Sequence, residues 1–303
     1  MSEIQDSDYN SLRDLIVEVM GPGTGSFGYG QPIISSPVFK GNIITQEQWN
    51  NLRFDIINAK LHQDGEISGI VEVNTGDVIG QESGDPKTNF ENVIESVRRN
   101  RFLVSPSTVQ IESIASPPTF SSQWNTSAVF TVSMEFSDSN NARYFFNSGS
   151  QLEITPTLQN STNTAQNNAW NNLLNEVGTV VFGISNEINF YDLTNSYQTI
   201  IESFSSAPYA SNKVVLEAKS DAADNSTGTA TEVDLRLSLI DGYVDPDVLE
   251  GFSASENSPS GFVDGDLNFE LVEVKASGNL LPAGTGPFLI NSPSYSVSPI
   301  SAT

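Results

Sequence analysis

Three glycines, Gly23, Gly25 and Gly28, have the Gly-x-Gly-x-x-Gly spacing of dinucleotide-binding loops. That chemistry needs a strand before the loop and a helix N-terminus after it. Here the motif follows an amphipathic helical pattern and leads into Tyr-Gly-Gln-Pro at residues 29–32. We therefore interpret it as a flexible glycine loop, and we predict no cofactor-binding residue.

His62 is the only histidine, so any Ser–His–Asp triad or histidine acid–base scheme would have to use it. It stands at the end of a predicted helix, just before an Asp-Gly turn. A histidine in the last turn interacts favourably with the helix dipole and the terminal carbonyls. We therefore favour a structural role for His62. The absence of cysteine excludes disulfides, thiolate catalysis and iron–sulfur clusters.

Carboxylates are abundant, which leaves a paired-carboxylate glycosidase open, but their spacing singles out no pair. The best calcium candidates are the pairs Asp245/Asp247 and Asp264/Asp266, because their oxygen ligands are close in sequence. Neither pair continues into an EF-hand loop with a terminal glutamate, so we interpret both as surface turns. The sequence thus predicts no catalytic and no metal-binding residue, and no enzyme activity.

Aromatic side chains in predicted loops are the remaining candidates for recognition. Trp124, Tyr209 and Tyr243 could stack on a glycan or contact a partner protein.

The charge balance limits the classes of partner. Thirteen Lys and Arg face 37 Asp and Glu, for a net charge of −24 and a pI near 4.1. Such a chain repels nucleic-acid phosphates and anionic membrane surfaces, so we predict neither as a partner. The first residues are acidic and no apolar run reaches 18 residues, so we expect neither a secretory signal nor a membrane span.

The secondary-structure elements that would position these residues are predicted from two different hydrophobic patterns. Apolar residues at helical spacing predict three helices in the first third of the chain. The first begins near Asp8, the second at a Thr45/Gln48 capping box and the third at a Thr88/Glu91 capping box. Residues 67–73 are a short strand or an extended loop.

From about residue 105, alternation with a period of two predicts strands. They are placed at residues 129–136, 142–146, 151–155, 213–219, 231–240 and 267–274. The first two would form a hairpin. Residues 164–177 predict a helix, and residues 194–204 are a second helix candidate.

This pattern predicts an α+β protein, with a helical N-terminal part followed by a mainly antiparallel, sandwich-like β domain that contains one or two inserted helices. We expect a docking domain at residues 1–104, a β-rich domain at 105–281 and an extended proline-rich tail at 282–303. The tail would either add an edge strand to a neighbour or remain loose.

An ordered series of segments resembles virion structural proteins of tailed, contractile-tailed phages that infect cyanobacteria. Residues 143–154 look like their FFNSGG segment, and residues 168–178 are similar to their W-x-x-L-L-x-x-V-G helix. Further segments of the series are residues 28–65, 190–198, 208–212, 241–243 and 264–265. The resemblance covers about residues 9 to 298. Ser150 stands where the family often has a second glycine, and the connection at residues 182–189 is shorter than usual.

The resemblance implies a structural component of a virion, in the tail, neck, baseplate or fibre-attachment region. Such a protein would be assembled in the host cytoplasm, would form a homo-oligomer and would pack against copies of itself and other virion proteins. It brings no catalytic residues with it. A glycan-binding adhesin module that uses Trp124, Tyr209 and Tyr243 is the alternative, and a polysaccharide-degrading enzyme is a third hypothesis.

Overall fold

The structure, a computed structural model, describes residues 5–80, 82–243, 262–276 and 288–303. The helices within these residues are α1 (Asp6–Met20), α2 (Gln46–Asp64), α3 (Pro86–Arg99), α4 (Ser139–Asn147) and α5 (Ala165–Val177). The strands are β1 (Val109–Ile114), β2 (Ser127–Glu135), β3 (Gln151–Gln159), β4 (Val180–Phe182), β5 (Gln198–Phe204), β6 (Lys213–Ser220), β7 (Glu232–Ile240), β8 (Asp266–Ala276), β9 (Ser294–Val297) and β10 (Ser301–Ala302).

The predicted α+β fold is confirmed. Helices α1–α3 precede two antiparallel sheets, one with the strand order β1-β8-β3-β4 and one with the order β10-β2-β7-β6-β5. The two sheets pack together, as the rings of Phe130 on β2 and Phe269 on β8 show with a centroid distance of 4.3 Å. Helices α4 and α5 are the inserted helices. Buried apolar residues of the helices and of both sheets form one continuous core.

Two N-terminal helices begin as predicted, and the third does not. The Thr45 hydroxyl accepts the backbone N–H of Gln48, and the side-chain oxygen of Gln48 accepts the backbone N–H of Thr45. The capping box of α2 is therefore confirmed. The box predicted at Thr88 is wrong, because α3 already begins at Pro86. The fixed φ of proline suits the first position of a helix, and that position needs no N–H. Residues 67–73 form a loop.

The strand and hairpin predicted at residues 142–146 are wrong, because this segment is helix α4. The Asp138 carboxylate accepts the N–H of Asn141 at 3.0 Å and caps the helix. Ala142, Phe145 and Phe146 then fall on one face and are fully buried. The cap and this spacing by three and four outweigh the short alternation in the sequence.

The helix considered at residues 194–204 is also wrong, because residues 198–204 form β5. This strand pairs with β6 through a bulge between Thr199 and Ile201. Its β-branched residues favour a pleated, half-buried strand over a helix. The strands predicted elsewhere in the β-rich part are confirmed.

The last described segment of the chain pairs with a β-sheet of the same molecule. Strands β9 and β10 both pair antiparallel with β2 of the same chain. The edge strand that was considered for a neighbour is thus formed within the chain. No helix of the described residues is long and apolar enough to cross a membrane.

Candidate functional site

The glycine loop is held by an arginine that lies more than a hundred residues away in the sequence. The Arg143 guanidinium donates to the backbone oxygens of Pro22, Gly25 and Phe27 at 3.3, 3.0 and 2.8 Å, and to the Asn140 side chain at 2.9 Å. The loop therefore turns carbonyl groups towards a cation. A phosphate-binding loop does the opposite, since it points N–H groups at an anion.

Two further side chains complete this contact. The buried Asn147 side chain donates to the oxygens of Gly25 and Gly28, both at 3.2 Å. The Tyr191 hydroxyl lies 2.6 Å from the Gly25 oxygen and 2.7 Å from Asn147 Oδ1. Burial raises the pKa of Tyr191 to about 12, so it keeps its proton at neutral pH. We call the loop at residues 22–28, together with Arg143, Asn147 and Tyr191, the glycine-loop joint.

The glycines are needed for the shape of this loop. Gly23 and Gly28 have φ values of +48° and +97°. A Cβ on Gly28 would lie 2.3 Å from the Pro22 oxygen, and a Cβ on Gly23 would lie 2.5 Å from the backbone of Phe27. The spacing that resembles a nucleotide motif thus comes from a compact loop whose two ends touch.

His62 lies in the last turn of α2, as predicted, but its surroundings are aromatic. Its ring stacks on Phe288 at 4.3 Å with an interplanar angle of 9°, and the edge of Tyr29 packs on it at 4.8 Å. Burial lowers the pKa of His62 to about 3, so the ring is neutral at neutral pH. A charge–dipole contact is therefore not its role, and a base this weak is poorly matched to acid–base catalysis. We call His62, Tyr29 and Phe288 the aromatic joint.

The segment that carries Phe288 is fastened at further points. The Gln31 side chain accepts the N–H of Leu289 at 3.0 Å and donates to its carbonyl at 2.9 Å. The buried Glu273 of β8 accepts the hydroxyls of Ser292 and Tyr295 at 2.7 and 2.6 Å. Residues 288–303, which we call the C-terminal segment, therefore contact the helical part as well as the sheets.

The acidic pair Asp264/Asp266 is occupied by hydrogen-bond donors. The Asp264 carboxylate accepts the N–H and hydroxyl of Thr162 at 2.7 and 2.6 Å, and the side-chain amide of Asn167 at 2.7 Å. Asp266 accepts the Ser121 hydroxyl at 2.5 Å. Donors in these positions place hydrogen atoms where a cation would have to bind. The turn interpretation is therefore the one that the hydrogen bonds support.

The other candidate pair, Asp245/Asp247, lies outside the described residues. Within the residues that the structure covers, no three histidine or carboxylate side chains come together as metal ligands.

The three candidate aromatic residues do not form one surface. Trp124 is only 2% exposed and packs edge-on against Trp170 at 4.9 Å. The structure brings Tyr209 and Tyr243 together, with ring centroids 4.5 Å apart. Tyr209 is buried and Tyr243 is half-buried. Buried rings leave little face for stacking on a glycan.

Asp241, beside this tyrosine pair, was not expected from the sequence. Its buried carboxylate accepts the Gln166 side-chain amide and the backbone N–H of Tyr243. Burial is the largest effect on this group and raises the pKa of Asp241 to about 6. In the sequence it reads as an ordinary Asp-Gly turn, because its burial depends on α5, which is distant along the chain.

Strand β1 is the most open strand of the four-stranded sheet. It pairs with β8 on one side and is the last strand in the sheet order. Its four central residues, 110–113, are exposed on both faces, and Ile111 is 70% exposed. Within the described residues, strand β1 therefore presents to solvent both its backbone edge and the apolar side chain of Ile111.

The chain was compared with protein-family models, with curated proteins and with solved structures. None of the three comparisons finds a match. The function is therefore argued from the geometry of the residues and from the resemblance described above.

Proposed function

We propose that the protein is a non-enzymatic structural subunit of a tailed-phage virion, which works by packing against copies of itself and other virion proteins. The observation that carries the proposal is the edge strand β1, whose outer side pairs with no strand among the residues that the structure describes. Proteins that act as monomers usually shorten, charge or cover such an edge, because it is a template for pairing with another chain. Strand β1 carries one charge, Glu112, which lies 3.8 Å from Lys275 of β8, but it is six residues long and Ile111 beside this charge is exposed. An apolar residue at its centre favours a covered state in an assembly.

The residues whose side chains could take part in catalysis or ligand binding also support the proposal, because each of them has a structural role. Arg143 and the glycine motif hold two parts of the chain together, and His62 is a neutral member of an aromatic cluster. Asp264 fastens the loop before α5. Each of these residues serves the shape of the subunit.

The adhesin alternative has less support. Of its three aromatic residues, Trp124 and Tyr209 are buried, so only Tyr243 offers part of a ring to solvent. Glycan sites generally depend on an exposed ring face together with polar groups around it.

Multi-angle light scattering together with an incorporation assay tests the proposal. The wild-type chain should form a defined oligomer, or should bind to purified virion subassemblies that lack it. Ile111→Lys should abolish this association, because it places a charge at the pairing edge. Ile67→Lys is the matched control, since Ile67 is also an exposed apolar residue but lies on a loop of the helical part. A stable wild-type monomer that also fails to join the particles would overturn the proposal.

A further inference from the structure

The helical part has an apolar cleft at the end where α2 begins. Two adjoining cavities of ≈ 430 and ≈ 270 Å³ share the residues Ile43, Ile44, Trp49 and Ile79. These residues come from the loop before α2, from α2 itself and from the loop before α3. We call this feature the apolar cleft.

Exposed apolar residues lie in the two loops that line the cleft: Ile43 lines it directly, Val78 lies between the lining residues Asp77 and Ile79, and Phe39 lies two residues before the lining residue Gly41. Phe39, Ile43 and Val78 are 71%, 87% and 64% exposed. The turn at residues 39–42 is closed by a bond from the Asn42 N–H to the Phe39 oxygen, which keeps Phe39 and Ile43 on one short loop. Single exposed apolar residues are common, but a group of them beside a concave apolar surface is typical of an interaction site.

Carboxylates border this surface. Asp6 and Asp77 line the apolar cleft, and Glu47 and Glu72 line a neighbouring cavity of ≈ 340 Å³. Arg53 lines that neighbouring cavity too, but its Nε donates to the Ile70 oxygen at 3.2 Å. Lys40 lies on the turn at residues 39–42 beside the cleft, so four carboxylates stand against two cations in this region. The cleft is therefore apolar inside, and its surroundings have a net negative charge.

A second copy of the chain is poorly equipped to supply the complementary charge. Eight of the 13 Lys and Arg residues pair with carboxylates of their own chain. Arg53, Arg101 and Arg143 donate to backbone carbonyls. Among the described residues, this leaves Lys40 and Arg99 without either kind of partner. Two copies that met at this acidic border would also repel each other.

We propose that the apolar cleft binds a short apolar segment, flanked by lysine or arginine, from a different protein. The apolar side chains of the segment fill the cleft beside Trp49 and cover Phe39 and Ile43. Its basic flanks face Asp6 and Asp77, which favours this partner over neutral or acidic ones and accelerates the encounter. The identity of the partner as a fellow virion protein rests on the proposed function, whereas the binding chemistry does not.

A fluorescence titration with a synthetic peptide tests the inference. The probe is a short peptide with a leucine-rich centre and lysines at both ends, and a second peptide carries glutamates in place of the lysines. Because the chain has no cysteine, Ser7→Cys accepts one environment-sensitive dye at an exposed position next to the lining residue Asp6. All variants are made in this labelled background, and circular dichroism melting checks that each one folds.

The lysine peptide should bind and shift the dye emission, with an affinity that weakens as salt is added. The double variant Phe39→Ser/Ile43→Ser should bind it at least about tenfold more weakly, a loss of about 1.4 kcal/mol. Ile67→Ser, an exposed apolar position outside the cleft, should bind as the wild type does. Asp77→Asn should weaken binding of the lysine peptide only, since an asparagine can still accept the Asn74 N–H that Asp77 accepts at 2.7 Å.

Three results would overturn the inference. They are equal affinity of the double variant and the wild type, equal affinity of the glutamate peptide and the lysine peptide, and self-association of the chain that the double variant abolishes. The titration needs no virion. A monomeric chain that fails to join particles but still binds the lysine peptide in the cleft would refute the proposed function and leave this inference standing.

Discussion

The glycine-loop joint and the aromatic joint both fasten the helical part to the rest of the molecule, with opposite chemistry. In the first, the Arg143 guanidinium is surrounded by backbone oxygens. In the second, the neutral His62 stacks on Phe288 and against Tyr29. One joint depends on hydrogen bonds from a permanent cation, whereas the other depends on ring packing and on the absence of charge.

Because of this difference, we expect the two joints to respond differently to pH and to substitutions. Arginine keeps its charge at any pH that proteins tolerate, so the glycine-loop joint should depend on the geometry of its donors and hardly on acidity. The aromatic joint should tolerate apolar substitutions of similar volume but respond to acid, because protonation would place a charge among buried rings.

Arg143→Met should have the largest effect. It should lower the free energy of unfolding by about 3 to 5 kcal/mol, because three partly buried backbone carbonyls and the Asn140 side chain lose a charged donor. Denaturant unfolding measures the change. Arg143→Lys should lose less, since it keeps the charge but not the planar set of donors. A loss below about 1 kcal/mol for Arg143→Met would show that water replaces the guanidinium and that this joint is not a structural anchor.

Phe288→Ala should cost about 3 kcal/mol, since it removes a buried ring and leaves a cavity beside His62. The loss should appear first in the C-terminal segment. Hydrogen exchange should therefore accelerate at β9 and β10 before it accelerates at β6 and β7. Phe288→Leu should retain much of the stability, because this joint depends on apolar volume. Uniform acceleration over the whole protein would contradict a local role.

Acid should weaken the aromatic joint through His62. The pKa of His62 is about 3 in the folded chain and 6.5 for the free side chain, so between these values only the unfolded chain takes up the proton. The free energy of unfolding should then fall as pH decreases through this window, by up to about 1.4 kcal/mol per pH unit from this group. His62→Phe should flatten the profile. An unchanged slope would show that His62 is accessible to protons in the folded state.

Asp241 provides a control of opposite sign within the same pH titration. Its pKa is about 6 in the folded chain against a usual 3.8, so the folded chain holds the extra proton between these values. Its contribution to stability therefore increases as pH falls from 6 towards 4. Asp241→Asn should make acid destabilisation steeper than in the wild type.

Arg98→Met should have the smallest effect on the free energy of unfolding, because it removes an ion pair at the surface. Arg98 pairs with Glu18 at 3.0 Å, but both side chains are about one-third exposed. A pair of this kind contributes about 0.2 to 1 kcal/mol. A loss as large as that of Arg143→Met would show that the position of the charge does not matter, which would remove the distinction between a buried cation and a surface ion pair.

Local patterns in the sequence were sufficient for the elements with strong signals. The capping box of α2, the helix at residues 164–177 and the long alternating strands were predictable because each signal involves neighbours in sequence. Helix α4 and strand β5 were assigned incorrectly. Both are short, so the choice between helix and strand depended on what each packs against.

The joints could not be predicted, because they connect distant residues. Arg143 is 118 positions from Gly25 in the sequence, and Gln31 is 258 positions from Leu289. Nothing in a local pattern indicates that a glycine loop will present its carbonyls to an arginine. For the same reason, the Gly-x-Gly-x-x-Gly spacing could be rejected as a nucleotide motif from its sequence context, while its structural role could not be foreseen.

The most direct test of the central claim is an electron-microscopy reconstruction of a tailed-phage particle that contains this chain, at side-chain resolution. We expect repeated copies of the chain, each with another polypeptide paired along β1 and covering Ile111. A particle in which β1 faces solvent in every copy of the chain would contradict the account.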